Sequence, residues 1–159
     1  MAKWKSTNSI SASSRMINKD AAFTQKPKVL FYVQHLLGIG HLKRAATLSR
    51  AMEAAGLAVT IVSGGKAVPG VNIGTAQFVQ LPPMRSKDEH FSVMLDDHDE
   101  PVDNGLRSTR CHMLLKTVAD LKPALVLTEL FPFGRRHLRG EIIPMIEAAR
   151  SLTPRSQII

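Results

Sequence analysis

Four short apolar runs, separated by stretches of helical period, organise the chain. Val29 to Val33 is apolar, β-branched and aromatic, which suits a buried strand. Ala58 to Ser63, Gln77 to Leu81 and Ala124 to Thr128 repeat the pattern, the third closed by Pro82-Pro83, which cannot continue a ladder. After the first run, Leu42, Ala45, Ala46, Ser49 and Met52 fall on one face of a helix, and Gly56 stands where a C-terminal glycine belongs. Asn104 to Lys122 is a second helix, with Cys111, Leu114, Leu115 and Val118 along its apolar stripe and Pro123 ending it. A third helix spans about Gly140 to Ser151, with Pro144 in its opening turn. Met84 to Asp103 has no period and reads as a long surface loop. The last residues, Thr153 to Ile159, read as a linker into a further strand, so the chain is expected to be a truncated N-terminal half.

Strands alternating with helices predict an α/β, Rossmann-like parallel sheet flanked by helices and joined by right-handed crossovers. Ligands of such sheets lie outside the carboxyl ends of the strands. The loops at residues 35 to 41 and 129 to 136 both leave such ends. In the first, Gly38 and Gly40 are expected to turn the backbone sharply, since glycine takes positive φ at little cost. The helix that follows offers unpaired N–H groups and a positive dipole end to an anion.

Composition narrows the function. The net charge of +8 predicts an anionic partner: a phosphorylated small molecule, an anionic membrane surface or nucleic acid. Nucleic acid fits worst, because aromatics are only 5% of the chain and do not interleave with basic residues. A single cysteine, Cys111, gives neither an internal disulfide nor a metal cluster, so a cytoplasmic location is expected, with peripheral contact at the inner membrane face as an extension. No run approaches the roughly 18 to 20 apolar residues of a membrane span. Residues 1 to 27 are Ser-, Asn- and Lys-rich without periodicity and read as a disordered leader; an organellar transit peptide is the alternative.

Several motifs fail on inspection. The dinucleotide fingerprint needs a third glycine where Lys43 stands and an acidic residue where Ser63 ends the second strand. A phosphate-binding Walker loop around Gly65-Lys66 lacks its first glycine, replaced by Thr60, and its hydroxyl residue, replaced by Ala67. Other residues survive as candidates. His41, at the helix start, is a candidate general base or a phosphate or sugar ligand, against the plainer reading that it caps or packs. His35 on the same loop is open to both readings. Lys43 and Arg44 add charge behind the loop. Glu129 ends an apolar strand, where a carboxylate is costly unless paired or useful. It either contacts a substrate hydroxyl while Arg135 and Arg136 grip phosphate, or it forms a structural ion pair with those arginines. His90, His98 and the acidic residues around them match no tight ligand set, so no metal is expected. Cys111 reads as core.

Gly38-Ile-Gly-His-Leu-Lys-Arg-Ala after the first strand, with Thr128-Glu-Leu-Phe-Pro-Phe-Gly-Arg-Arg, resembles predicted bacterial glycosyltransferases of the GT-B fold. These are related to the enzyme that adds N-acetylglucosamine to the lipid-linked peptidoglycan precursor. The resemblance covers roughly Lys28 to Arg150. It implies a sugar transferase of two Rossmann-like domains, of which residues 28 to 159 are the N-terminal, acceptor-side domain and the donor domain is absent. It implies a nucleotide-sugar donor, an acceptor that is a small molecule or lipid-linked sugar, and no cofactor. His41 matches the glycine-loop histidine and is the first candidate base; Glu129 is the second. Gly38, Gly40, Lys43, Arg44, Arg135 and Arg136 are the candidate substrate-binding residues. Leu37 stands where the peptidoglycan enzyme's loop has another glycine. The competing functions are a phosphosugar- or anionic-membrane-binding module without catalysis, and a nucleotide-sugar epimerase of the same architecture.

Overall fold

The structure is a computed structural model and describes residues 25–159. The leader expected over residues 1 to 27 therefore lies outside the described residues, save its last three positions. In chain order the elements among the described residues are β1 (Lys28–Val33), α1 (Gly40–Ala54), β2 (Ala58–Ser63), β3 (Gln77–Gln80), β4 (Arg85–Ser86), β5 (Met94–Leu95), α2 (Asn104–Leu121), β6 (Leu125–Thr128), a 3-10 turn (Arg136–Leu138), α3 (Arg139–Arg150) and β7 (Gln157–Ile158).

Five of the strands form one parallel sheet in the order β3-β2-β1-β6-β7. The further strand expected at the C-terminal end is β7, so the sheet has five strands rather than four. β1 is central and bonded on both sides, with Phe31 facing Ile61 of β2 and Leu127 of β6 in register. A strand enclosed on both edges and both faces needs apolar residues at every position, which is why Val29 to Val33 reads as a continuous run. Its alternate side chains serve two cores. Val29, Phe31 and Val33 pack with Leu42 and Ala45 of α1, while Leu30 and Tyr32 pack with Leu114 and Val118 of α2 and Ile142 and Met145 of α3. Helices thus cover both faces, as right-handed crossovers on either side of β1 require.

The helix ends are partly as read. Gly56, just beyond α1, has φ +89, the left-handed conformation that favours glycine. Asp103 caps α2, its carboxylate accepting from the Leu106 N–H at 2.7 Å. Pro144 lies in the second turn of α3, not its opening turn, because α3 begins at Arg139 behind the 3-10 turn. The i−4 residue whose carbonyl a proline ring crowds is Gly140.

Two expectations fail. Residues 84 to 103 are not simply a surface loop. They fold into an antiparallel pair, β4 with β5, and bury Met84, Ser86, Met94 and Leu95. Their apolar residues are too few and too widely spaced to show a period. On α2, Cys111 is only half-buried, and the buried stripe is Arg110, Leu114 and Val118. A charged residue occupies the position where the sequence pattern placed the thiol.

Candidate functional site

The strand order reverses between β1 and β6: β2 and β3 lie to one side, β6 and β7 to the other. At such a switch point the loops leaving adjacent strands diverge and open a crevice. Here they are residues 34 to 39 after β1 and 129 to 135 after β6. The excursion of residues 84 to 103 supplies a third wall through His90 and Phe91. The resulting cleft measures about 760 Å³. His41, Leu37 and Gly38 line it from the first loop and α1, and Leu130, Arg135, Arg136 and His137 from the second.

His41 and Glu129 meet at this edge. Nδ1 of His41 lies 2.9 Å from Oε1 of Glu129, and Nη1 of Arg44 donates to the same oxygen at 3.3 Å. Glu129 therefore pairs with α1 and not with Arg135 or Arg136, which correct the ion pair considered from sequence: the end of β6 points its carboxylate across to the neighbouring β1–α1 connection. The Glu129 side chain is only 12% exposed, and its Oε2 is buried without a hydrogen-bond partner. His41 remains 29% exposed and lines the cleft. A histidine held at Nδ1 by a carboxylate presents Nε2 as its free, basic nitrogen. Ile39, at the N-cap of α1, offers no side-chain cap and the helix has no acidic residue in its own first turn, so the carboxylate nearest its positive end comes from Glu129.

Arg135 has no carboxylate partner among the described residues. Burial pulls its guanidinium below the ordinary arginine value, with the charge of Glu129 acting the other way. Its Cζ lies 5.8 Å from the centre of the Phe91 ring, and that ring stacks on His137 at 5.9 Å and 14°. Burial also lowers the His137 imidazole, and the charges of Arg135 and Arg107 lower it further. Arg135 and Arg136 line the cleft and, among the described residues, no carboxylate does, so its lining is positively charged. Phe91, Leu130 and Arg135 all adopt left-handed φ, at 57, 68 and 60, a conformation that side-chain-bearing residues rarely take and that concentrates at working sites. Leu37, Leu130 and Phe133 form an exposed apolar lip, Phe133 at 93% exposure.

Not every candidate residue is in the cleft. Gly38 lines it, but neither Gly38 nor Gly40 has positive φ, and a Cβ on either would meet nothing within 4 Å. The turn expected from them is made with ordinary backbone angles, and they leave open space instead. Lys43 points along α1 toward residues 68 to 72, away from the cleft. Arg44 reaches Glu129 from outside. His35 is 6% exposed and serves the structure: Nε2 bonds the Lys66 carbonyl at 2.9 Å and Nδ1 has no partner. Burial chiefly lowers its pKa. No group of three or more His, Cys, Asp or Glu among the described residues is placed to hold a metal. No described helix is long and apolar enough to cross a membrane.

Phe91 and His137 were not singled out from sequence. Phe91 is a lone aromatic in an aperiodic segment, and His137 follows the Arg135-Arg136 pair; adjacency to that pair was the only signal available.

The class defined by sheet order and crevice is an open, doubly wound α/β domain with a cleft at its switch point. No protein-family model matches the chain, and no curated protein matches it. Among solved structures it is similar to SsfS6, a glycosyltransferase from Streptomyces sp. SF2575, at 18% identity and a TM-score of 0.49, over 76% of this chain and 36% of that one. It is similar to CalG4, the calicheamicin glycosyltransferase, at 16% identity and a TM-score of 0.46, over 77% of this chain and 30% of that one. The chain spans about a third of the length of each. Likeness of that degree assigns no chemistry here; the chemistry has to come from the side chains of the cleft.

Proposed function

We propose that this chain is the acceptor-side half of a glycosyltransferase that moves a hexosyl or N-acetylhexosaminyl unit from a nucleotide-sugar to an acceptor hydroxyl. The observation that carries the reading is the contact between His41 Nδ1 and Glu129 at the lip of a positive cleft. In this reading the Nε2 of His41 takes the proton of the acceptor hydroxyl. The oxygen attacks the anomeric carbon, the bond from that carbon to the diphosphate oxygen breaks, and the electron pair leaves with the nucleoside diphosphate. Glu129 orients the ring and steadies the imidazolium that forms, so its role is to hold the base rather than to act as one. Arg135, unpaired and half-buried, is suited to an anionic group of donor or acceptor. The donor nucleotide is held by a second domain, which is no part of the described residues.

The test is His41→Ala in a polypeptide carrying both halves, with nucleoside diphosphate release as the readout. Turnover is expected to fall by about 10²–10⁴-fold, the usual contribution of a positioned base. Stability should change by less than about 1 kcal/mol, since the ring is partly exposed. Unchanged turnover rejects the role.

A second reading has an observation of its own. The exposed Phe133 beside Arg135 and Arg136 is the pairing of an apolar tip with cations that an anionic bilayer favours. A module that only binds would float with anionic vesicles in low salt and release no nucleotide in either form.

A further inference from the structure

Arg110 is fully buried on α2, and all five of its N–H groups are used. Nε donates to Glu141 Oε2 at 2.9 Å, and Nη2 to Glu141 Oε1 at 2.7 Å and Gln34 Oε1 at 2.8 Å. Nη1 donates to the carbonyls of Gly64 at 3.0 Å and Pro82 at 2.5 Å. Tyr32 donates to the same Glu141 at 2.5 Å, and Gln34 passes the connection on by donating to the Met84 carbonyl at 2.9 Å. Burial alone would lower the Arg110 pKa, but the hydrogen bonds and charge of Glu141 hold it above its ordinary value. The cation is permanent.

These acceptors are the roots of all three cleft walls. Gln34 is the first residue of the loop that leads to His41. Pro82 and Met84 begin the excursion that carries His90 and Phe91. Glu141 opens α3 just behind the loop that carries Arg135 and His137. The backbone around the guanidinium is shaped for it as well. A Cβ on Gly64 would lie 1.9 Å from Gln34 Oε1 and 2.5 Å from Arg110 Nη2, so only glycine fits there.

We infer that Arg110 is the positioning residue of the cleft: through Gln34, Pro82 and Glu141 it fixes the three walls relative to one another and so sets the geometry in which His41 meets Glu129. The cleft's role rests on the transferase reading, but the positioning does not. Its test reads the ring of His41 directly and needs no turnover.

The experiment uses the full chain with ¹⁵N-labelled histidine, the His41 signals assigned by their loss in His41→Gln. Recorded at a pH high enough to keep the ring neutral, with Nδ1 against Glu129, one protonated and one bare nitrogen resonance are expected, well separated. Removing both charges together, in Arg110→Met/Glu141→Leu, puts apolar side chains in place of the pair and leaves neither charge buried alone. In that variant the two His41 resonances should converge toward an average, as the ring exchanges tautomers. Val118→Ala, about 12 Å further along the same helix by its rise per residue, is the control. It should lower the melting temperature through a cavity yet leave His41 as it was. Unmoved resonances in the folded double variant overturn the proposal, and so does an equal shift in Val118→Ala. If the double variant does not fold, Gln34→Leu cuts the tie to the first loop alone, and converged or unmoved His41 resonances there decide in the same way. A positive result beside an unchanged turnover in His41→Ala would keep the positioning and discard the transferase.

Discussion

Two buried or half-buried carboxylates tie elements together in this chain, Glu141 joining α3 to α2 and Glu129 joining the loop after β6 to α1, and they are built to opposite ends. Arg110 and Glu141 lie 2.7 Å apart at 0% and 5% exposure, with every guanidinium donor satisfied. Glu129 holds His41 and Arg44 by one oxygen, leaves the other without a partner, and sits beside a cleft lined by an unpaired arginine. The first pair spends all its hydrogen-bonding capacity on the protein. The second keeps some in reserve for something that is not protein. On the proposed reading, that difference is what separates a structural ion pair from a working one.

The comparison breaks most visibly if the closed pair is opened. Arg110→Ala strands a buried Glu141 carboxylate together with the Gln34, Gly64 and Pro82 oxygens. Removing one partner of a buried pair costs about 3–5 kcal/mol, so urea denaturation should show a loss of that size. The double apolar replacement should lose far less than the single one. A loss below about 1 kcal/mol in Arg110→Ala would mean that water already reaches the network.

The open pair should answer differently. Glu129→Gln keeps the shape and removes the charge. Its partners are partly exposed, Arg44 at 66%, so stability should move by less than about 1 kcal/mol. Turnover should fall by at least about tenfold, yet less than in His41→Ala, because the ring remains and only its orientation and charge support are weakened. Equal losses of stability in Glu129→Gln and Arg110→Ala would erase the distinction between the two pairs.

The fold was legible where burial is two-sided. β1 and β2 are enclosed on both faces, so apolarity is continuous and their ends are read to within a residue. The meeting of residues 35 to 41 with 129 to 136 followed from topology alone, since parallel strands bring their carboxyl ends to one edge. What remained hidden was the partner of each charge. Glu129 has arginines six and seven residues away in sequence, but the sheet places it beside α1, and only the strand order reveals that. Arg110 was hidden by its type: a charged residue on a helix reads as a solvated face, so the stripe was placed through Cys111 instead. The spacing Arg110, Leu114, Val118 was the available signal, at i, i+4 and i+8. Gly64 and Gly65 are glycines because Gln34, Arg110 and His35 come so close to them. Glycine marks where something else comes near, and sequence does not say what.

The smallest effect sharpens the contrast through pH. His35 and His137 are not paired with carboxylates; burial lowers both below the ordinary histidine value of 6.5. The unfolded chain therefore binds their protons more readily than the folded one, and stability rises with pH across the range between the folded and unfolded values. As pH falls below about 6.5 the chain should lose stability, levelling off once the folded histidines also protonate. Asp88 and Asp99 titrate below their ordinary 3.8, so the stability they contribute is lost only at more acid pH and does not enter this window. The loss expected between pH 7.5 and pH 5 is carried by the two histidines together, and its direction is fixed by their lowered values. Melting temperature followed against pH would show it, and His35→Gln should flatten the curve in that interval while lowering stability at pH 7.5. Were the melting temperature level from pH 7.5 to pH 5, the interior around His35 would have to accept a proton as easily as water does. The buried Nδ1 of His35, which has no partner to stabilise a second proton, argues that it does not.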